Sequence, residues 1–341
     1  MDTIIKGRKL GILSSNTFCI VVDGDKIVNS LYFEILKREA LECGITFISC
    51  CDDTLIEPDM EMLLNKKGEY VAARKQYGSI EYEWQQKFGK PLINFDEKDS
   101  KFIRTEKLLR KLGVDISKPI VGLHYRVNHD FMKSGRGSNI SNMQSSLRYL
   151  SNLDVNVIKI GTERKSIGSY NRSNNYFDLS DWNLSREDFE LICLYVWSKS
   201  LFFIGNLSGG TMPPNTFGTP TLWFDVFPLA HIRLPGLNDY FIPKQVYSYE
   251  LKRNLAFSEM FTIPNSQSEN PIRLSENGYQ LIDASEISIL NGVKTMVDLH
   301  LYKKTNVDNN SKIIEYENVY KKHGYPHGAK IDLHFLSDYV I

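Results

Sequence analysis

The stretch SKPIVGLHYRVNHDF (117–131) decides how the chain is read. It opens as a buried strand, with Ile120, Val121 and Leu123 in a continuous apolar run. It then delivers His124 and Arg126, two residues apart, so on extended backbone their side chains share a face. Three further apolar runs follow: VNVIKIG (155–161), LFFIGN (201–206) and TPTLWFDVF (219–227). Between them lie helical patterns, NISNMQSSLRYLSNL (139–153) and SREDFELICLYVWSKS (185–200), the second with Ser185 and Asp188 spaced as a capping box. Strands alternating with helices predict an α/β fold with a parallel, doubly wound sheet covered on both faces.

Outward from this centre the pattern weakens. SLYFEILKREALECG (30–44) is a predicted helix, with Leu31, Phe33, Ile35, Leu36 and Leu41 at roughly helical spacing and Gly44 as its stop. ITFISC (45–50) is a predicted strand, and DSKFIRTEKLLRKLGV (99–114) a helix ending at Gly113. Past 240 the stretch IDASEISILNGVKTMVDL (282–299) contains a helix capped by Asp283 or Ser285, and the chain closes on a short helical piece. At 341 residues two ordinary domains are expected: 1–116, then 117–245, with 246–341 as a tail packing on both.

Composition narrows the class. Hydrophobic residues are 42% and charged residues 24%, the profile of a globular protein, and Lys plus Arg equals Asp plus Glu at 41 each. With no basic excess, nucleic acid is not an expected partner. No apolar run near the start reads as a secretory signal and none reaches membrane-spanning length, so a cytoplasmic location is expected. The five cysteines lack C-x-x-C spacing, so neither a zinc site nor a disulfide framework is expected.

Chemistry is expected at the carboxyl ends of the strands, where open parallel sheets bind ligands. His124 and Arg126 end the first strand; the Arg fork suits phosphate or carboxylate oxygens, and a buried Arg–Asp pair beside a core histidine is the competing reading. Ser208, Gly209 and Gly210 form a small turn after the third, where backbone N–H groups and a helix start favour an anion. Gly161 and Thr162 end the second, with Lys159 either lining the same crevice or pointing outward from an edge strand. SGRGSN (134–139), on a long polar loop, is a candidate flexible lid or phosphate contact, and no P-loop or dinucleotide fingerprint is present.

The set VGLHYR (121–126), RGSNISNMQSSLRYL (136–150), NVIKIGT (156–162) and LFFIGNLSGGTMPPNTFGTP (201–220) resembles a bacterial glycosyltransferase family that reads L-H-x-R after a strand and F-h-I-G-x-x-S-G near the end of the sheet, h being apolar. GYPHGAKIDLHFLSDYV (324–340) is similar to that family's closing segment. More distantly, the H-x-R element is similar to that of fucosyltransferases with two facing Rossmann-like lobes. The resemblance implies a GT-B-like architecture with a donor cleft between lobes, and transfer of a sugar from a nucleotide-sugar donor to a glycan or lipid-linked glycan acceptor. Such an enzyme would serve surface polysaccharide or glycoconjugate synthesis, at the inner face of the membrane through its acceptor. It implies that Arg126 binds donor phosphate and His124 orients the donor. Ser208, Gly209 and Gly210 would contact the diphosphate or sugar, Gly161 and Thr162 would lie near the nucleoside, and Arg136 and Asn139 would match the family's Arg-Asn pair. Two departures stand out: Lys159 replaces the usual Arg, and Val127-Asn128-His129-Asp130 replaces an acidic residue directly after the Arg. His129 and Asp130 are therefore the candidate bases for the acceptor hydroxyl, with His124 weakened by its Arg126 neighbour. No D-x-D pair ends a strand, and the adjacent Asp52 and Asp53 read as a solvated turn. Metal-independent catalysis with no cofactor is expected, the alternative being a nucleotide-sugar or glycan binding protein without turnover.

Overall fold

Helix and strand order follow the sequence periodicity closely in the middle of the chain. The computed structural model describes residues 1–14, 19–22, 29–49, 62–64, 67, 70–94, 99–126, 137–161, 174–229, 236, 238–264, 271–304, 311–323 and 329–332. The first part holds α1 (Asp2–Leu10), β1 (Cys19–Val22), α2 (Ser30–Glu42), β2 (Thr46–Ser49), β3 (Met62–Leu64), β4 (Tyr70–Ala72), α3 (Ala73–Phe88) and α4 (Ser100–Lys111). Then come β5 (Ile120–His124), α5 (Gln144–Ser151), β6 (Asn156–Lys159), β7 (Tyr176–Asp178), α6 (Arg186–Lys199), β8 (Phe202–Gly205), α7 (Pro213–Thr216) and β9 (Thr221–Val226). The last part holds β10 (Tyr240–Pro243), β11 (Gln245–Ser248), β12 (Arg253–Asn254), α8 (Pro271–Glu276), β13 (Tyr279–Ile282), α9 (Glu286–Met296), α10 (Ser311–Lys322) and β14 (Lys330–Ile331).

Seven strands form one sheet in the order β14-β10-β9-β8-β5-β6-β7, and every neighbouring pair in it is parallel. From β5 the chain moves outward through β6 to β7, then returns to the other side of β5 for β8 and β9. The direction of winding therefore reverses between β5 and β8. The other described strands pair as β1–β2 in parallel, β3–β4 antiparallel, and an antiparallel β12-β11-β13 sheet.

The two faces of the seven-stranded sheet lie in different hydrophobic clusters. Val121, Leu123, Val157, Phe202 and Ile204 pack with residues of α5, β9, β10, α9 and α10. Ile120, Ile158 and Phe203 pack with α6 and with Ile5, Ile35, Leu36, Trp84, Phe102 and Leu109 from the first 116 residues. This second cluster therefore draws residues from both sides of position 116. Leu41, expected on the buried face of α2, is 55% exposed, while Ile35, Leu36 and Ala40 carry that face.

Caps agree with the residue types. Ser185 Oγ accepts the Asp188 N–H at 3.1 Å, opening α6, and Ser285 does the same for α9 through the Ser288 N–H. Ser285 rather than Asp283 is thus the cap of α9, and Asp283 has other partners, described below. Within the expected closing helical piece, Lys330–Ile331 form β14 beside β10, while 324–328 and 333–341 lie outside the described residues. Among the described residues no helix is long and apolar enough to cross a membrane.

Candidate ligand site at the strand ends

Strand register brings the expected residues together. His124 is the Cα partner of Gly205, so the residues just past β5 and β8 share one end of the sheet. The His124 ring sits between two glycines. A Cβ on Gly210 would lie 2.5 Å from His124 Cδ2, and one on Gly161 would lie 3.1 Å from the same atom. Gly161 also has φ +109°, a conformation that side chains disfavour. Trp197 of α6 donates its indole N–H to the Gly210 carbonyl at 2.9 Å, fixing that wall.

On the other side of the ring, Nδ1 of His124 is 2.8 Å from Ser208 Oγ, which is itself 3.0 Å from Thr211 Oγ1. Burial, reinforced by the charges of Arg126 and Lys159, lowers the His124 pKa to about 4. The imidazole is thus neutral at pH 7, with one nitrogen spent on Ser208. Gly209 is exposed, and a Cβ there would meet nothing within 4 Å, so the turn has an open flank. The expected helix start after this turn is only one turn long, 213–216, too short to sum a useful dipole.

Arg126 follows directly and is only partly buried. Its main chain is gripped by Asn206, the residue after β8: Arg126 N–H donates to Asn206 Oδ1 at 3.1 Å, and Asn206 Nδ2 donates to the Arg126 carbonyl at 3.1 Å. Asn206 Nδ2 also donates to Ser138 Oγ at 3.0 Å, and Ser138 N–H donates to the Arg126 carbonyl at 3.3 Å.

Two expected contacts have other partners. Lys159 is 1% exposed and its ammonium lies 2.7 Å from Asp178 Oδ2, over the Tyr125 ring at 5.2 Å. It does not point outward from an edge: β7 lies beyond β6, and the Lys is paired across to it. Asn139 is an N-cap, its Oδ1 accepting from Ser141 N–H at 3.2 Å, while its own N–H donates to Asp283 at 2.7 Å. His129, Asp130, Arg136 and Thr162 lie outside the described residues.

Sequence reasoning missed a buried polar cluster against the segment Gly137–Asn139. Lys244, at the end of β10, donates to the Gly137 carbonyl at 2.7 Å and bonds Asp283. Asp225 in β9 is fully buried, accepts the Ala284 N–H at 2.6 Å, and has its pKa pushed up to about 6 by burial. The signals were present: Asp225 interrupts the apolar run TLWFDV, and Asn206 follows FFIG directly. Among the described residues no group of three or more His, Cys, Asp or Glu is placed to hold a metal ion.

No protein-family model matches the chain, and no curated protein matches it in sequence. Partial backbone likeness exists to solved structures. One is the glycosyl transferase family 9 protein from Veillonella parvula: 10% identity, TM-score 0.38, covering 60% of this chain and 53% of that one. A second is E. coli ADP-heptose LPS heptosyltransferase II: 9% identity, TM-score 0.39, covering 62% and 54%. A third is the dodecameric iron-containing heptosyltransferase TibC in complex with ADP-D-β-D-heptose: 12% identity, TM-score 0.35, covering 68% and 62%. The chain spans less than two thirds of the length of each.

Proposed function

We propose that the protein is a glycosyltransferase that takes a nucleotide-sugar donor at the carboxyl ends of β5, β6 and β8. One observation carries the reading. His124, Arg126, Gly161, Ser208 and Gly210 surround the point where the winding of the sheet reverses, between β5 and β8. That crevice is where open α/β sheets bind ligands. A neutral His124 braced by Ser208, an Arg beside it and an unobstructed Gly209 turn suit a diphosphate: guanidinium and backbone N–H groups oppose the charge that builds on the departing phosphate.

In transfer, Arg126 stabilises that leaving group and His124 orients it by hydrogen bonding. The acceptor hydroxyl loses its proton to a base, for which His129 and Asp130 remain our candidates. We place the acceptor on the side of the first 116 residues, in the two-lobed GT-B manner, and take it to be a glycan or lipid-linked glycan of a surface polysaccharide. Arg126 and backbone donors supply the positive potential in this scheme, so transfer is expected to persist in EDTA.

The test is binding and turnover with UDP, GDP, ADP, CMP and dTDP and their sugars. Binding raises the melting temperature, and Arg126→Ala should remove that rise and all transfer while the unliganded melting temperature stays within a degree or two. Full activity in Arg126→Ala excludes the assignment. Asp130→Ala should lower turnover with donor affinity retained, and normal turnover removes Asp130 as the base. Binding with every donor tried but transfer from none marks a binding protein instead.

A further inference from the structure

We infer that Asn206 is a positioning residue for the ligand site, acting as a surrogate strand that fixes the main chain of Arg126. The inference rests on the proposed binding of a nucleoside diphosphate by Arg126 and names the part that aims it.

The β5–β8 ladder ends at the His124–Gly205 pair. Beyond it the Arg126 N–H and C=O would need other partners, since backbone polar groups left unpaired away from water are costly. The Asn206 carboxamide serves both, accepting from the N–H and donating to the C=O, each at 3.1 Å. It is 0% exposed, as is Ser138, which takes its second N–H. One group here must accept once and donate twice. A carboxamide of this length meets that demand. A carboxylate can only accept, and an alkyl side chain can do neither. Asn206 holds the Arg126 main chain at both its N–H and its C=O, with the Ser138 N–H as a second donor to that carbonyl, and so helps set the direction in which the Arg126 side chain leaves the sheet.

Asn206→Asp is the informative variant. It keeps shape and the acceptor for the Arg126 N–H, but sets an ionised oxygen against the Arg126 carbonyl. Burial and that carbonyl raise the pKa of the introduced carboxyl, and once protonated it can donate again. Affinity for the nucleoside diphosphate that most raises the wild-type melting temperature is measured by calorimetry at pH 8 and pH 5.5. Asp225, near 6, titrates over this range in both proteins and His124, near 4, stays neutral in the wild type, so the variant-to-wild-type ratio at each pH isolates the substitution.

The expected result is binding about tenfold weaker than wild type at pH 8, recovering most of that loss at pH 5.5. A folded Asn206→Asp protein with wild-type affinity at both pH values, or with a loss that pH does not change, overturns the proposal alone. A wild-type protein that binds none of the five nucleotides overturns the functional reading, and this proposal with it. Should Asn206→Asp not fold, Ser138→Ala decides: removing the second acceptor should weaken binding about fivefold, and unchanged affinity overturns the role.

Discussion

His124 shows how a single residue ties site chemistry to stability. Its pKa falls from the ordinary 6.5 to about 4 because the ring is buried beside Arg126 and Lys159. The unfolded chain therefore takes up a proton as pH drops below 6.5, and the folded chain does not until about 4. This group's contribution is present above pH 6.5 and is lost as pH falls through that window. Asp225 and Asp239, both pushed up to about 6 by burial, act in the opposite sense, since the folded state protonates first. The net slope is a balance, so the His124 part must be read as a difference. His124→Asn keeps a hydrogen-bonding atom near Ser208 but does not titrate. Between pH 6.5 and 4 its melting temperature should fall less than that of the wild type. Parallel curves would mean that the histidine titrates normally. The sequence carried the identity of this residue and the face it shares with Arg126, because period-two geometry is local. Its partners were not readable in the same way. Ser208 and the two flanking glycines meet it only because β6 and β8 flank β5, and that order is a property of the whole sheet.

At the scale of elements, β5, β6, β8 and β9 were legible because strands buried on both faces read as continuous apolar runs. β10 is as buried, but is only four residues long between polar segments, and β14 pairs with it across about ninety residues of chain, which no local pattern encodes. The three-stranded β12-β11-β13 sheet was missed for a similar reason: its strands have two to four residues and are only partly buried. Lys159 shows what strand register adds to a local reading at this scale. A Lys in an apolar strand suggests a ligand or an edge, yet it is the register partner of Asp178 on β7, and the two make a buried ion pair. Asp178 also accepts from the Ser180 N–H at 2.9 Å, so the pair anchors the turn after β7. Lys159→Met should cost about 3–5 kcal/mol in urea unfolding, because it strands a buried carboxylate. Adding Asp178→Leu should recover part of that loss, the signature of coupled partners. Nucleotide affinity of the folded Lys159→Met protein separates the two roles: unchanged binding marks a structural Lys, and a loss returns it to the donor set.

Across the whole molecule, a second buried ion pair argues that the first 116 residues and the sheet unfold together. Lys6 of α1 is 0% exposed, and its ammonium lies 2.6 Å from Glu81 of α3 and 2.9 Å from Asn215 of α7. Thr3 donates to the same Glu81 at 2.8 Å, Thr216 of α7 donates to Asp2 at 3.1 Å, and the Tyr32 hydroxyl of α2 is 2.7 Å from Thr216. α7 begins two residues after Thr211, the residue that closes the Ser208 turn, so this network joins the site's own loop to three N-terminal helices. Around it, Ile5, Ile35 and Phe102 share a hydrophobic cluster with Ile120 and Phe203 of the sheet. Lys6→Met removes the cation and leaves Glu81 buried without it, at a cost of about 3–5 kcal/mol. If the core is continuous, that loss appears as one transition displaced as a whole, with the same midpoint by tryptophan fluorescence and by circular dichroism. An early transition confined to part of the signal, with the remainder at the wild-type midpoint, would instead place an independent folding unit at the 116/117 boundary. Pairing Lys6→Met with Glu81→Leu should restore part of the stability, since removing both charges ends the penalty of an unpaired one.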